Sequence, residues 1–194
     1  FIRVGLSPNQ AKAITAEVGR ENDYNPKVIF GSHIDPAARG GSSVKNLGMI
    51  SWNGPRGAAL AARLKAKGLL GADGKMVESQ EALDVQTQFA VDEMKGPYAK
   101  RLANFWNNPN ADPNSMAPEL GKKYVVWAYN QDTIATKGGG RKSFDWKAHD
   151  NKRRGYLEAM GGSTGNGGAQ STTTPATSKI APAAAGTGPA PSST

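Results

Sequence analysis

The chain has no cysteine among its 194 residues. That excludes disulfides, thiol nucleophiles and cysteine-held zinc or iron–sulfur centres, and leaves the redox compartment open. It has no apolar run near the roughly 20 residues a membrane-spanning helix needs, so no transmembrane segment is expected. No secretory leader is visible at the start. The opening, Phe1-Ile2-Arg3-Val4 instead of Met, reads as a fragment or processed product. Histidine is scarce, with His33 and His149 only. His33 and Asp35 are too few to make a metal centre. Gly138-Gly139-Gly140 lacks the spacing of a phosphate or dinucleotide loop. No metal or cofactor is therefore expected.

Positive charge is present in excess. The formal net charge is +8 and the pI near 9.7. This balance suits an anionic polymer: nucleic acid, an acidic membrane surface or a charged cell-wall glycan. The stretch from Lys137 to Arg154 holds seven cations against Asp145 and Asp150. A plain solvated helix face explains that stretch equally well, and His149 reads as part of it.

Composition breaks after Met160. Residues 161–194 are almost all Gly, Ser, Thr, Pro and Ala, with Lys179 their only charge, and all 16 acidic residues come earlier. Such a segment buries too little apolar surface to offset the entropy of ordering it. Residues 1–160 are therefore read as one domain and 161–194 as a flexible linker or disordered tail.

The domain reads as mainly α. Ser7-Pro8-Asn9-Gln10 combines a capping Ser, a Pro at the first helical position and a Gln three residues after the cap. The helix should run from Pro8 to about Asn22. Ile14, Glu17, Val18 and Glu21 share one of its faces. Asn25-Pro26 ends the segment. Residues 27–52 are punctuated by glycine and proline, and Val28-Ile29-Phe30 and Met49-Ile50-Ser51-Trp52 read as short strands or buried loop. Further helices are expected at Pro55–Lys67, Ser79–Lys95, Tyr98–Asn107, after a capping Ser115, and from Asp145 to Met160. Leu120, Tyr124 and Trp127 recur at helical spacing, which favours core packing for Trp127.

Glu21 ends the first helix next to Tyr24. Cleaving a glycosidic bond needs a proton delivered to the leaving oxygen. A free glutamate titrates near about 4.3, and burial against apolar groups can raise a carboxyl to about 6. The competing reading is a half-exposed glutamate paired with Arg20. A second carboxylate could come from Glu17, Asp23 or Asp35. Glu17 lies one turn from Glu21, and an ion pair with Arg20 or Lys45 is its plainer role. Asp35 sits in the irregular segment as a candidate base or water positioner.

Three blocks carry a family resemblance. Glu21-Asn22-Asp23-Tyr24-Asn25-Pro26 resembles the Glu-Ser-x-Phe-x-Pro block of lytic transglycosylases and the similar block of phage tail lysozymes. Gly48-Met49-Ile50-Ser51 resembles their Gly-Leu-Met-Gln, and Trp52-Asn53-Gly54-Pro55-Arg56 fits the Trp-x-Gly-x-Arg that follows it in the phage proteins. Trp127-Ala128-Tyr129-Asn130-Gln131 resembles the Ala-Tyr-Asn-Ala-Gly of transglycosylases. The blocks stand in the family order and span roughly residues 5–160. Two positions depart: Asn22 replaces the serine and Ser51 the glutamine.

The resemblance implies a lysozyme-like helical domain of goose-type or transglycosylase-like architecture, with an irregular or short β segment. It implies a muramidase that cleaves the β-1,4 bond between N-acetylmuramic acid and N-acetylglucosamine. Glu21 would be the acid and Asp35 a candidate second group. Tyr24, Asn46, Gly48, Ser51, Trp52, Tyr129 and Asn130 would contact sugar. Lytic transglycosylases need no second carboxylate, so hydrolysis and transglycosylation both stay open. The implied setting is a phage virion, in the tail or as an internal virion protein, acting on peptidoglycan in the host periplasm or wall during genome entry. Its partners would be peptidoglycan and other virion or tail proteins, with nucleic acid the weaker alternative. The rival function is a non-catalytic basic module that holds wall or DNA.

Overall fold

A computed structural model describes residues 1–34, 45–136 and 139–161. Among them the chain is mainly helical, with seven α-helices and four three-residue strands. No described helix is long and apolar enough to cross a membrane. Asp35, Lys137, Gly138 and residues 162–194 lie outside the described residues, and with them the expectations for Asp35 and for the tail.

Helix α1 spans Pro8–Asn22 and starts as its sequence dictates. The Ser7 hydroxyl accepts from the Gln10 N–H, and the Gln10 side chain accepts from the Ser7 N–H. The predicted apolar face is buried: Ile14, Glu17 and Val18 are almost wholly covered. Helix α1 packs chiefly against α7 (Trp146–Ala159) and α6 (Pro113–Glu119). Asp145 caps α7 by accepting from the Ala148 N–H.

After α1 the chain makes one helical turn, α2 (Pro26–Ile29), where Val28-Ile29-Phe30 was expected to be strand or loop. Asn25 accepts from the Lys27 N–H and Pro26 pre-sets the first helical residue, so local capping decides the outcome. Strands β1 (Ser32–Ile34) and β2 (Lys45–Leu47) then pair antiparallel, with His33 opposite Asn46. Leu47 and Trp52 close a tight turn through two backbone hydrogen bonds of 2.8 and 2.9 Å, so residues 49–51 are turn and not strand.

Helices α3 (Gly54–Ala66) and α4 (Gln80–Lys95) bury Leu60, Leu64, Ala82, Val85 and Phe89. A small reverse turn around Asp73-Gly74 joins them, closed by the Leu70–Met76 bridge. The expected Tyr98–Asn107 helix divides into a 3-10 turn (Ala99–Leu102) and α5 (Ala103–Asn107). Asp112, not Ser115, caps α6; its side chain accepts from the Asn114 N–H at 2.7 Å, and Ser115 donates to the Asp112 carbonyl. Pro118 has no N–H to continue the α-helical ladder. Beyond it the helix widens into a π-turn, Leu120–Val125. Val126, at φ 61°, ends that turn, so Trp127 leaves the helix whose spacing it seemed to continue. Strands β3 (Thr133–Ala135) and β4 (Arg141–Ser143) form a second hairpin before α7.

The core runs through Ile14, Trp52, Leu60, Leu64, Phe89, Met94, Leu102, Phe105, Leu120 and Tyr124. Each such side chain contributes on the order of 1.5–3 kcal/mol by leaving water. A buried carboxylate lies within it. Glu93 accepts from Trp52 Nε1 at 2.8 Å, from Arg56 Nε and Nη2 at 2.8 Å each, and from the Tyr124 hydroxyl at 3.1 Å.

Candidate active site

Glu21 closes α1 with its side chain 26% exposed. Among the described residues its carboxylate partner is Arg20, whose Nη2 donates to Glu21 Oε2 at 2.7 Å. The ion pair expected as the plainer alternative is therefore formed. Arg20 is itself buried, and its Nε donates to Glu17 Oε2 at 2.9 Å. One guanidinium thus joins both carboxylates. Its face lies 4.4 Å from the centre of the Trp127 ring, and Trp127 Nε1 donates to the same Glu17 oxygen at 3.1 Å.

Glu17 has no exposed side-chain surface. Burial pushes its carboxyl above the usual carboxylate range; the charge and hydrogen bond of Arg20, the charge of Arg153 and the Trp127 N–H offset this only in part. Arg153 stands 4.0 Å from Glu17 Oε1 and binds Asp150 Oδ1 at 2.9 Å, while Arg154 Nε donates to Asp150 Oδ2 at 2.8 Å. The α1–α7 seam therefore carries Glu17, Glu21 and Asp150 against Arg20, Arg153 and Arg154. In the stretch for which a solvated helix face was one of two readings, Asp150 and Arg153 turn inward while Arg141, Lys142 and Lys147 stay exposed.

Beside this network lies a chain of aromatic rings. Trp127 meets Tyr129 edge-on at 5.1 Å, Tyr129 meets Trp146 at 5.6 Å, and His149 stacks on Phe144 at 4.8 Å while lying 6.0 Å from Trp127. All five rings are half-buried. Burial, then the charges of Arg20 and Lys152, push the His149 imidazole below its ordinary value, while Glu21 and Asp145 pull it back up. His149 is thus an electrostatic neighbour of Glu21 and not an isolated surface group. Lys122 Nζ stands 5.5 Å over the Tyr129 ring. Burial and then the Asp150 charge raise the Tyr129 hydroxyl above its ordinary value.

The other expected sugar contacts divide. Tyr129 belongs to the ring cluster; Asn130 is exposed, in the left-handed region at φ 58°. Ser51 is part-exposed, also left-handed, at φ 54°. It is brought to the end of α1 indirectly, because Asn22 Nδ2 donates to the Met49 carbonyl at 2.8 Å. Gly48 is buried at φ 74°, where an added Cβ would stand 2.4 Å from Gln86 Oε1. That oxygen accepts from the Met49 N–H at 2.8 Å, so glycine is needed to seat the turn on α4.

Trp52 and Asn46 need correction, and half-buried Tyr24 is drawn into the helix seam. Trp52 is 1% exposed, spends its N–H on Glu93 and packs edge-on against Phe89 at 5.5 Å; it has no free face for a sugar. Asn46 is 4% exposed, with its amide nitrogen 3.4 Å from His33 Nε2, so it lies inside the first hairpin instead of lining a groove. Tyr24 donates to the Thr15 carbonyl at 3.0 Å and meets Tyr156 edge-on at 4.9 Å. Burial lifts its hydroxyl to about 12. Its ring serves the α1–α7 seam. Asp23, the third candidate carboxylate, accepts from Lys152 at 2.8 Å and from the Tyr156 hydroxyl at 2.6 Å, which ties it to α7.

Comparison with protein families, curated proteins and solved structures finds no match. Among the described residues no group of three or more metal-ligand side chains is assembled. Sequence reading missed the ring cluster and the inward Asp150 and Arg153. The stripe Trp146, His149, Asp150, Arg153 and Leu157, at helical spacing, carries that signal.

Proposed function

We propose that residues 1–160 form a lysozyme-like, virion-associated muramidase that opens peptidoglycan during phage entry, with Glu21 as the acid. One observation carries the reading. The three separated blocks that resemble transglycosylases and phage tail lysozymes meet at one place, the end of α1. Asn22 holds the turn at Met49, and Glu17 and Arg20 hold Trp127.

On this reading the glycan lies across the exposed side of Glu21, with Tyr129, Asn130 and Ser51 as contacts. Only one Glu21 oxygen is engaged by Arg20, so a proton carried on the other can pass to the leaving glycosidic oxygen. The sugar carbon is then attacked by a water or by the muramic acid's own hydroxyl. Glu17 is sealed from solvent and cannot activate that water. The test is digestion of purified peptidoglycan by the wild type and by Glu21→Gln, with products read by mass spectrometry. Loss of soluble fragments with Glu21→Gln is expected, and equal activity in both sinks the assignment. Anhydro-muramic ends, lighter by one water, identify transglycosylation; reducing ends identify hydrolysis.

The Arg20–Glu21 ion pair favours a second reading, a basic module that holds the wall without cutting it. It predicts retention on peptidoglycan with no product, unchanged by Glu21→Gln. A DNA-holding form predicts steep weakening with salt.

A further inference from the structure

Glu17 cannot touch a glycan, yet the residue that holds Glu21 depends on it. A guanidinium is planar and its donors are fixed in a fork. Glu17 takes the Nε–H of Arg20 at 2.9 Å, and the Trp127 ring covers the guanidinium face at 4.4 Å. Fixing one donor and the plane leaves the Nη2–H a single direction, and it meets Glu21 at 2.7 Å. Trp127 Nε1 bonds the same Glu17 oxygen, so carboxylate, indole and guanidinium lock one another.

We propose that Glu17 is a positioning residue for the proposed cleavage: through Arg20, clamped on Trp127, it sets where the Glu21 carboxylate stands. This rests on the assignment of Glu21 as the acid. An ion pair that merely stabilises the fold would change stability when removed, but not the turnover of molecules that remain folded.

The experiment compares wild type, Glu17→Gln and Glu17→Met for kcat and KM on soluble peptidoglycan fragments. Solvent exchange of the Arg20 Nε–H is followed by NMR in the same proteins. Glu17→Gln keeps an oxygen acceptor and should retain kcat within about tenfold. Glu17→Met removes the acceptor, and displacement of the acid by about an ångström should lower kcat about 100-fold with KM within about twofold. Exchange at Arg20 should stay slow in wild type and Glu17→Gln and speed up in Glu17→Met. A folded Glu17→Met with wild-type kcat, or one that loses kcat while Arg20 exchange is unchanged, overturns the proposal. If Glu17→Met does not fold, Arg20→Lys decides: it keeps the charge without the planar fork and must lower kcat at unchanged KM, and wild-type kcat there overturns the proposal. If the wild type itself cuts no peptidoglycan, the reading of Glu21 as the acid fails, and Arg20 exchange still reports whether Glu17 sets the guanidinium.

Discussion

Removing the Glu93 carboxylate should cost far more than removing any surface charge. Glu93→Ala strands the Trp52 N–H in a site where the indole is 1% exposed. A buried donor left without a partner costs about 1–3 kcal/mol. It also leaves the Arg56 guanidinium without its two 2.8 Å bonds. Breaking a buried ion pair from one side costs about 3–5 kcal/mol, but Arg56 is a quarter exposed and keeps the rings of Tyr98 and Tyr124 at 4.9 and 5.1 Å. Tyr124 can turn its hydroxyl fully to the Ala90 carbonyl at 3.2 Å and adds little. Taking about 2 kcal/mol for the stranded indole N–H and about 1–2 kcal/mol for the part-exposed guanidinium, the sum is about 3–4 kcal/mol, a large part of the roughly 5–15 kcal/mol that holds a domain folded. At about 2–4 °C per kcal/mol for a chain of this size, Tm should fall by about 6–16 °C. Urea unfolding followed by tryptophan fluorescence should show the midpoint fall at unchanged slope. Glu93→Gln, which keeps shape and one acceptor, should lose about half as much. Asp84→Ala, which breaks an exposed pair with Arg3, should lose less than about 1 kcal/mol. A Glu93→Ala loss no larger than that of Asp84→Ala would refute the reasoning.

Two further outcomes follow from the α1–α7 seam. Gly19→Ala should destabilise by about 1–2 kcal/mol in urea, although alanine is the better helix former by about 1 kcal/mol. Its Cβ would lie 2.7 Å from the Tyr156 ring and 2.8 Å from Tyr24 Cζ, and both rings are pinned by their hydroxyls; a stabilised variant contradicts this packing. An NMR titration should place the His149 midpoint below the ordinary 6.5, because burial and then Arg20 and Lys152 disfavour its charged form. A value lowered on folding means that the unfolded chain takes the proton first. The contribution is therefore intact above about pH 6.5 and is lost as pH falls from there through the folded midpoint. Glu21→Gln removes a charge that supports protonation and should lower the midpoint further; no movement would show that Glu21 and His149 are not neighbours.

Helix positions were legible where local signals decide them. Ser7, Pro8 and Gln10 name the start of α1 by hydrogen bonds within four residues, and Ser79 and Asp145 do the same for α4 and α7. Trp127 was misread because its spacing from Tyr124 is helical while Val126 breaks the helix at positive φ, a break that follows the π-turn after Pro118. Asp150 and Arg153 were misread because charges at helical spacing usually face water; here Asp150 pairs with Arg153 three residues on and Arg153 stands 4.0 Å from Glu17, and it is the packing of α7 on α1 that turns both inward. Partners distant in sequence leave no local trace, and Glu93 with Trp52 and Arg56 is the clearest case.

That last cluster changes what the family-like motif can mean. Trp52 and Arg56 are the two side chains that make Trp-x-Gly-x-Arg recognisable, and both end on the buried Glu93 carboxylate. The preceding Gly48 fits the turn to Gln86, and Asn22 meets that turn at Met49. Most of the second block therefore holds the scaffold that places the end of α1, with Ser51 its part-exposed exception. If the domain grips sugar, the grip falls to Ser51, Asn130 and the ring cluster of Tyr129, Trp146 and His149. Substituting Trp52 would then lower activity only as far as it lowers stability, whereas substituting Tyr129 or Trp146 would raise KM in a protein that stays folded.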